Sequence, residues 1–179
     1  MPNSPYAATK AAADLLVRAY HKTFGLNVSI TRCSNNYGRS QFPEKLIPLI
    51  ITNLIDNSPI PIYGNGQNIR DWIHVDDHCT AIHSVLFGGR PGEIYNIGGG
   101  SEITNLDMAR QILHLLNKDE TSLSFVPDRL GHDFRYSVDA EKIFSELKIR
   151  PKVKIRVGLE ETINWYVENE SWWRPLKEN

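Results

Sequence analysis

A chain of 179 residues with 41% apolar and 23% charged side chains is long enough for one globular unit, burying roughly 70% of its unfolded surface. Its 20 Lys and Arg against 21 Asp and Glu leave a formal net charge of −1, which asks for neither nucleic acid nor an anionic membrane as partner. Two cysteines, Cys33 and Cys79, cannot build a disulfide framework, and no apolar run has the length of a membrane span or a signal peptide, so the expected compartment is the cytoplasm.

The first element begins at Ser4-Pro5. Serine accepts from orphan amides as an N-cap and proline suits the first helical position, so a helix is expected from there to a stop at Gly25. Residues 26–32 (LNVSITR) alternate and are β-branched, which predicts a strand, and 33–45 (CSNNYGRSQFPEK) read as loop. A buried helix follows over 45–56, with Pro48 tolerable only near its start. Residues 59–66 predict a short strand and turn, 71–75 a strand, and Asp76 the cap of a helix running toward Phe87. A strand over 92–100 ends in glycines. Thr104 or Asn105 then caps a helix over 106–117, with Asp107 well placed in its first turn. A strand at 123–126, a short helix at 139–147 and a final amphipathic helix at 158–169 complete an alternation that argues for an α/β fold.

Tyr6 and Lys10 lie four apart on the first helix and so share a face. An ammonium beside a phenol favours phenolate, which makes such a tyrosine usable as a general base for a hydroxyl. Spacing alone leaves an exposed tyrosine and a solvated lysine as the alternative. Glycines at Gly64–Gly66 and Gly98–Gly100 lack the full dinucleotide fingerprint and its acidic partner, and read as turn or strand-end glycines. Asp76-Asp77 reads as a helix cap and Glu160-Glu161 as a solvated helix face. His74 and His78 stand on different elements, so no metal is expected. Trp165, Trp172 and Trp173 read as core and terminal packing.

SPYAATK, RCSNNYG, FPEKLIPL, PIYGNGQNIRDWIHVDDH, YNIGG and DRLGHDFRY occur in that order between Ser4 and Tyr136. Each is weak alone. As an ordered set they resemble the extended short-chain dehydrogenase/reductases that act on nucleotide sugars, in particular the dTDP-glucose 4,6-dehydratases, and the resemblance runs to about Trp173. It implies an incomplete Rossmann-like fold: the last part of the parallel sheet plus a smaller, substrate-binding α/β subdomain. Residues 1–40 would be the remnant of the NAD-binding domain and 41–179 mainly the sugar-nucleotide part, with 69–97 returning to the sheet.

The resemblance implies oxidation of the sugar C4 hydroxyl by NAD, elimination of water across C5–C6 and return of hydride to C6. Tyr6 would take the C4 hydroxyl proton, and Lys10 would hold the nicotinamide ribose. Asn36 would contact the cofactor. Asn35, Lys45, Leu46, Pro61, Ile62, Tyr63, Arg70, Asn105, Asp128, Arg129 and His132 would contact a dTDP-sugar, with the aromatic ring of Tyr63 by the base. Arg70 and Arg129 are the phosphate candidates, because guanidinium forks grip phosphate oxygens bidentately. Leu130 departs from the family's usual proline. No Gly-rich loop precedes Tyr6, and no Asp-Glu elimination pair stands in the family's context, so the chain reads as a C-terminal portion that is inactive by itself. Homodimers through the Tyr-bearing helix are implied. The apolar face Leu15, Leu16 and Ala19, together with the second helix, would be partly uncovered. Two rivals stay open: a UDP- or GDP-sugar epimerase, decarboxylase or dehydratase of the same superfamily, and a non-catalytic sugar-nucleotide-binding module.

Overall fold

The computed structural model describes Pro2 and residues 4–177. Helix α1 (Pro5–Phe24) starts as its sequence dictates: Ser4 Oγ accepts from the Ala7 amide at 3.1 Å. It stops at Gly25, whose φ of 67° is open to a residue without Cβ. Strands β1 (Ile30–Cys33) and β2 (Asn35–Tyr37) follow with only Ser34 between them. The expected strand therefore begins later than residue 26, and Asn35–Tyr37 is strand where loop chemistry was read. Pairing explains the difference. β1 lies parallel to β5 (Ile94–Ile97), while β2 changes neighbour and lies parallel to β4 (Ile69–His74), with Asn35 opposite Trp72 and Asn36 opposite Ile73.

Helix α2 (Leu46–Ile55) carries Pro48 in its first turn, where no intrahelical partner is lost. It is buried on nearly every side: Ile47, Ile50, Ile51 and Leu54 are at most 3% exposed. This corrects the expectation of a partly uncovered second helix. Each such side chain contributes about 1.5–3 kcal/mol of apolar burial, so α2 is a centre of the core. Strand β3 (Ile60–Tyr63) pairs parallel with β7 (Leu123–Val126).

β4 also takes β6 (Glu102–Thr104) antiparallel and β8 (Arg135–Tyr136) parallel. Helix α3 (Val75–Gly88) is capped by His74, whose Nδ1 accepts from the Asp76 amide at 3.4 Å. Asp76 is thus not the cap. It is paired with Arg39 at 2.8 Å, and Asp77 accepts from the backbone amides of Lys152 and Val153. Helix α4 (Asn105–Leu115) is capped by Thr104, which accepts from the Asp107 amide at 3.0 Å. Helices α5 (Glu141–Leu147), α6 (Ile155–Glu168) and α7 (Glu170–Lys177) end the chain. α6 starts before Gly158, and α7 was not foreseen.

Two cores result, and β4 is their common wall. Trp72 joins α2, α4, α6, β3 and Trp173, whereas its neighbour Ile73 joins Ala81 and Val85 of α3 with Tyr95, Ile97 and Ile143. Strand alternation does this, since successive side chains face opposite ways. Of the three C-terminal tryptophans, Trp173 is fully buried and Trp165 stacks edge-on between Tyr166 and Trp172. α1 stands apart, with no buried residue; Leu15 is 68% and Phe24 72% exposed. An Asp14–Arg32 ion pair at 2.6 Å joins it to β1.

Candidate sugar-nucleotide site

A cavity of about 380 Å³ opens where β2, β3, β4 and the starts of α2 and α4 converge. Its walls are Asn35, Lys45, Leu46, Pro61, Ile62, Tyr63, Arg70, Asn105, Arg129 and His132, joined by Glu44, Leu49 and Trp72. The structure therefore gathers every residue expected at the sugar nucleotide except Asp128. That carboxylate is held by its own loop, with Oδ1 accepting from His132 Nδ1 at 2.6 Å and from the Arg129 amide at 2.8 Å.

Three wall residues were missed by motif reading. Trp72 follows Arg70 by two on the same strand and so shares its face. Leu49 follows Leu46 by three on α2. Both signals were legible in the spacing. Glu44 is exposed and paired with Lys45 Nζ at 2.6 Å; such an exposed pair adds little stability.

The electrostatics of the cavity are those of an anion site. Arg70 Nη1 and Nη2 donate to the carbonyls of Ile69 and Asp133 at 2.7 and 2.8 Å. Arg129 lies 4.7 Å from the centroid of the Tyr63 ring, with Nη2 3.4 Å from His132 Nε2. Among the described residues neither guanidinium is ion-paired, while the other cavity cation, Lys45, is. Burial pushes Arg70 below its ordinary range; Asp133 opposes the shift and the positive Arg129 adds to it. Two cations facing one cavity, Arg70 half-buried and Arg129 exposed, repel until an anion enters. Asn105 Oδ1 and Trp72 Nε1 are also buried without a hydrogen-bond partner in the structure.

Tyr6, Lys10 and Asn36 do not line this cavity. Tyr6 is 71% exposed on α1, with Lys10 Nζ 5.7 Å from its ring centroid. It is close enough to Tyr136, whose hydroxyl donates to Cys33 O at 3.0 Å, to help burial raise that phenol's pKa. Asn36 faces away from Asn35 by strand alternation; its Nδ2 donates to Ser34 O and Cys33 Sγ, and its Oδ1 is buried without a partner. A larger, open hollow of about 570 Å³ beside Glu102, Asp107 and Arg110 has its charges already neutralised by pairs such as Arg110–Glu120 and Arg135–Glu102. No group of three or more metal-ligating side chains occurs among the described residues, and none of their helices is long and apolar enough to cross a membrane.

Residues 1–162 match the family model described as GDP-mannose 4,6 dehydratase. The chain belongs to that family. A dTDP-glucose 4,6-dehydratase of Streptomyces niveus is 57% identical over 176 residues, a match covering 98% of this chain and 52% of that protein. The crystal structure of the dTDP-glucose 4,6-dehydratase of Streptomyces venezuelae, solved with NAD bound, superposes with a TM-score of 0.97 at 57% identity, covering 98% of this chain and 55% of that one. The enzyme of the same name from Bacillus anthracis, in complex with NAD, gives a TM-score of 0.95 at 52% identity over 98% of this chain and 56% of that one. The chain spans about half the length of the relatives it matches. Its α/β architecture is accordingly that of the extended Rossmann-like enzymes, whose NAD-bound members it resembles over almost its whole length.

Proposed function

We propose that this chain is the sugar-nucleotide-holding, C-terminal half of a dTDP-glucose 4,6-dehydratase. The observation that carries the reading is the convergence of Arg70 and Arg129 on one cavity without a carboxylate partner for either. A diphosphate bridging the two guanidiniums relieves their repulsion and accepts directional, charge-assisted hydrogen bonds. In this reading Tyr63, with Pro61 and Ile62, faces the thymine base. Asn35, Lys45, Leu46, Asn105 and His132 complete the contacts, and Asp128 acts through its neighbours.

NAD, when bound, accepts hydride from the sugar and returns it. The chain's own residues suit that partner: Asn36 offers a buried carbonyl oxygen with no other partner, and Tyr6 and Lys10 stand a turn apart and unobstructed. Tyr6 takes the proton of the C4 hydroxyl, and Lys10 holds the ribose and favours the phenolate. Residues 1–40 and 69–97 then belong with the dinucleotide-binding sheet, as the parallel pairing of β1 with β5 supports, and 41–179 mainly with the sugar nucleotide. The exposed apolar side chains of α1 support a homodimer assembled through that helix, which in this reading is cytoplasmic. Asp76 and Asp77 are not assigned to water elimination in this reading, since they are engaged by Arg39 and by backbone amides.

The chain alone should bind dTDP-glucose weakly and not turn it over. Titration calorimetry with dTDP-glucose is expected to give millimolar-range binding, weaker for the UDP analogue. Arg70→Met should weaken it about 10- to 100-fold, the worth of a charge-assisted hydrogen bond. Absence of heat at millimolar dTDP-glucose, or an unaffected Arg70→Met, defeats the reading.

A further inference from the structure

His132 is the one cavity residue whose charge can change near neutral pH, and the structure fixes both of its ring nitrogens. Asp128 Oδ1 lies 2.6 Å from Nδ1, so the carboxylate holds a hydrogen there and the tautomer follows from that contact. Nε2 is left with its lone pair toward Arg129 Nη2 at 3.4 Å. The side chain is 9% exposed. The charged groups around it are Asp128, Arg129 and Asp133 on its own loop, Arg70 on β4, and Lys45 and Glu44 at the start of α2. With the cavity free of anions, protonating Nε2 would place a third positive charge beside two guanidiniums. An entering anion removes that obstacle.

We propose that Asp128 is a positioning residue that makes His132 a proton-coupled grip, so that diphosphate binding takes up one proton at His132 Nε2. The proposal rests on the reading of this cavity as a diphosphate site. The balance is simple. A phosphate oxygen draws the Arg129 donors away from Nε2, one proton passes from bulk water to Nε2, and the new N–H donates to the phosphate. No other bond is made or broken, and the imidazolium stands between two anions, the diphosphate and Asp128. Asp128 stays ionised throughout, because its contacts with His132 and the Arg129 amide hold its carboxyl below the usual range. The chain thereby favours doubly charged diphosphates over singly charged anions, since only the former supply enough negative charge for three cations.

The test is titration of this chain with dTDP-glucose, whose esterified diphosphate lacks the terminal phosphate ionisation near pH 6, so that any proton taken up belongs to the protein. Binding heats compared in Tris and HEPES should show proton uptake rising toward one per site as pH passes from 6 to 8. The dissociation constant should rise with pH over the range in which uptake is seen, by up to about tenfold per pH unit for a single proton. His132→Gln should abolish the pH slope while binding persists at pH 8. Asp128→Asn should flatten the slope and weaken binding at pH 6, and Asp128→Glu should restore it. Binding with no proton uptake, or a slope that survives His132→Gln, overturns the inference and leaves the diphosphate reading standing. No binding at any pH overturns both.

Discussion

Replacing Gly158 by alanine tests the packing that holds the cavity's β2 wall. Gly158 lies in the first turn of α6, its amide donating to Lys154 O at 3.0 Å. A Cβ there would fall on the Tyr37 hydroxyl oxygen, with Tyr37 Cε2 and Cζ each at 3.0 Å. In an open helix the change would stabilise by about 0.8–1.0 kcal/mol through helix propensity. Here Tyr37 is 1% exposed and cannot swing into solvent, and overpacking of this kind costs about 1–3 kcal/mol. The clash wins, and the expected net loss is about 1–2 kcal/mol. Tyr37→Phe alone removes a buried hydroxyl that has no partner in the structure, so it should be neutral or mildly stabilising. In the double variant the nearest obstructing atom is gone, and most of the loss should return as coupling energy. Urea unfolding of the four proteins measures this. If Gly158→Ala stabilises the chain as an ordinary surface glycine would, the close approach of α6 to β2 is wrong.

Trp173→Ala should cost about 3–5 kcal/mol in urea unfolding, because the indole is fully buried and its Nε1 donates to Tyr166 O at 2.8 Å; a loss under about 1 kcal/mol would mean that α7 is not docked. Alkaline stability should fall from about pH 10 upward. Burial raises the pKa values of Tyr37 and Tyr166, so the unfolded chain releases their protons first and the stabilisation, complete below the unfolded value of about 10, is lost as pH climbs toward the folded values. Asp77 and Glu161 add to the shift at Tyr37, so Tyr37→Phe should flatten that fall; an unchanged alkaline profile would count against its burial.

The sequence was most legible where one residue type has one physical use. Ser4-Pro5 and Gly25 bounded α1 because a cap, a fixed φ and a left-handed φ are local properties. Asn35–Tyr37 was misread because two asparagines before a glycine are good turn chemistry, and only the partner strand β4 makes them a strand. β6 and β8 are too short and polar to announce themselves, and both exist by pairing with β4. The last long helix was expected from Gly158 but begins at Ile155, and the glycine's place inside it is explained by the tyrosine it abuts. α7 was hidden by Pro175 inside it. The cavity wall fared better, because its residues sit in motifs. Asp128 is the instructive exception: its motif marked it for the ligand, and the geometry turns it toward His132 instead.

β4 explains why the cavity and the sheet cannot be tuned separately. Arg70 and Trp72 face the cavity, while the residue between them, Asp71, is 1% exposed on the opposite face. Its two carboxylate oxygens accept from the Gly99 and Ser101 amides at 3.0 and 2.8 Å, tying β4 to the turn after β5. β5 in turn holds β1, and β1 runs through Ser34 into the Asn35–Asn36 pair. A shift of this cavity-facing strand therefore reaches Asn36 by two hydrogen-bonded routes, directly across β2 and around through Gly99 and β5. Rigid elements of this kind hold a site to the tolerance that chemistry needs. A substitution that loosens the Asp71 anchor should for that reason disturb the positions of Arg70 and Asn36 together.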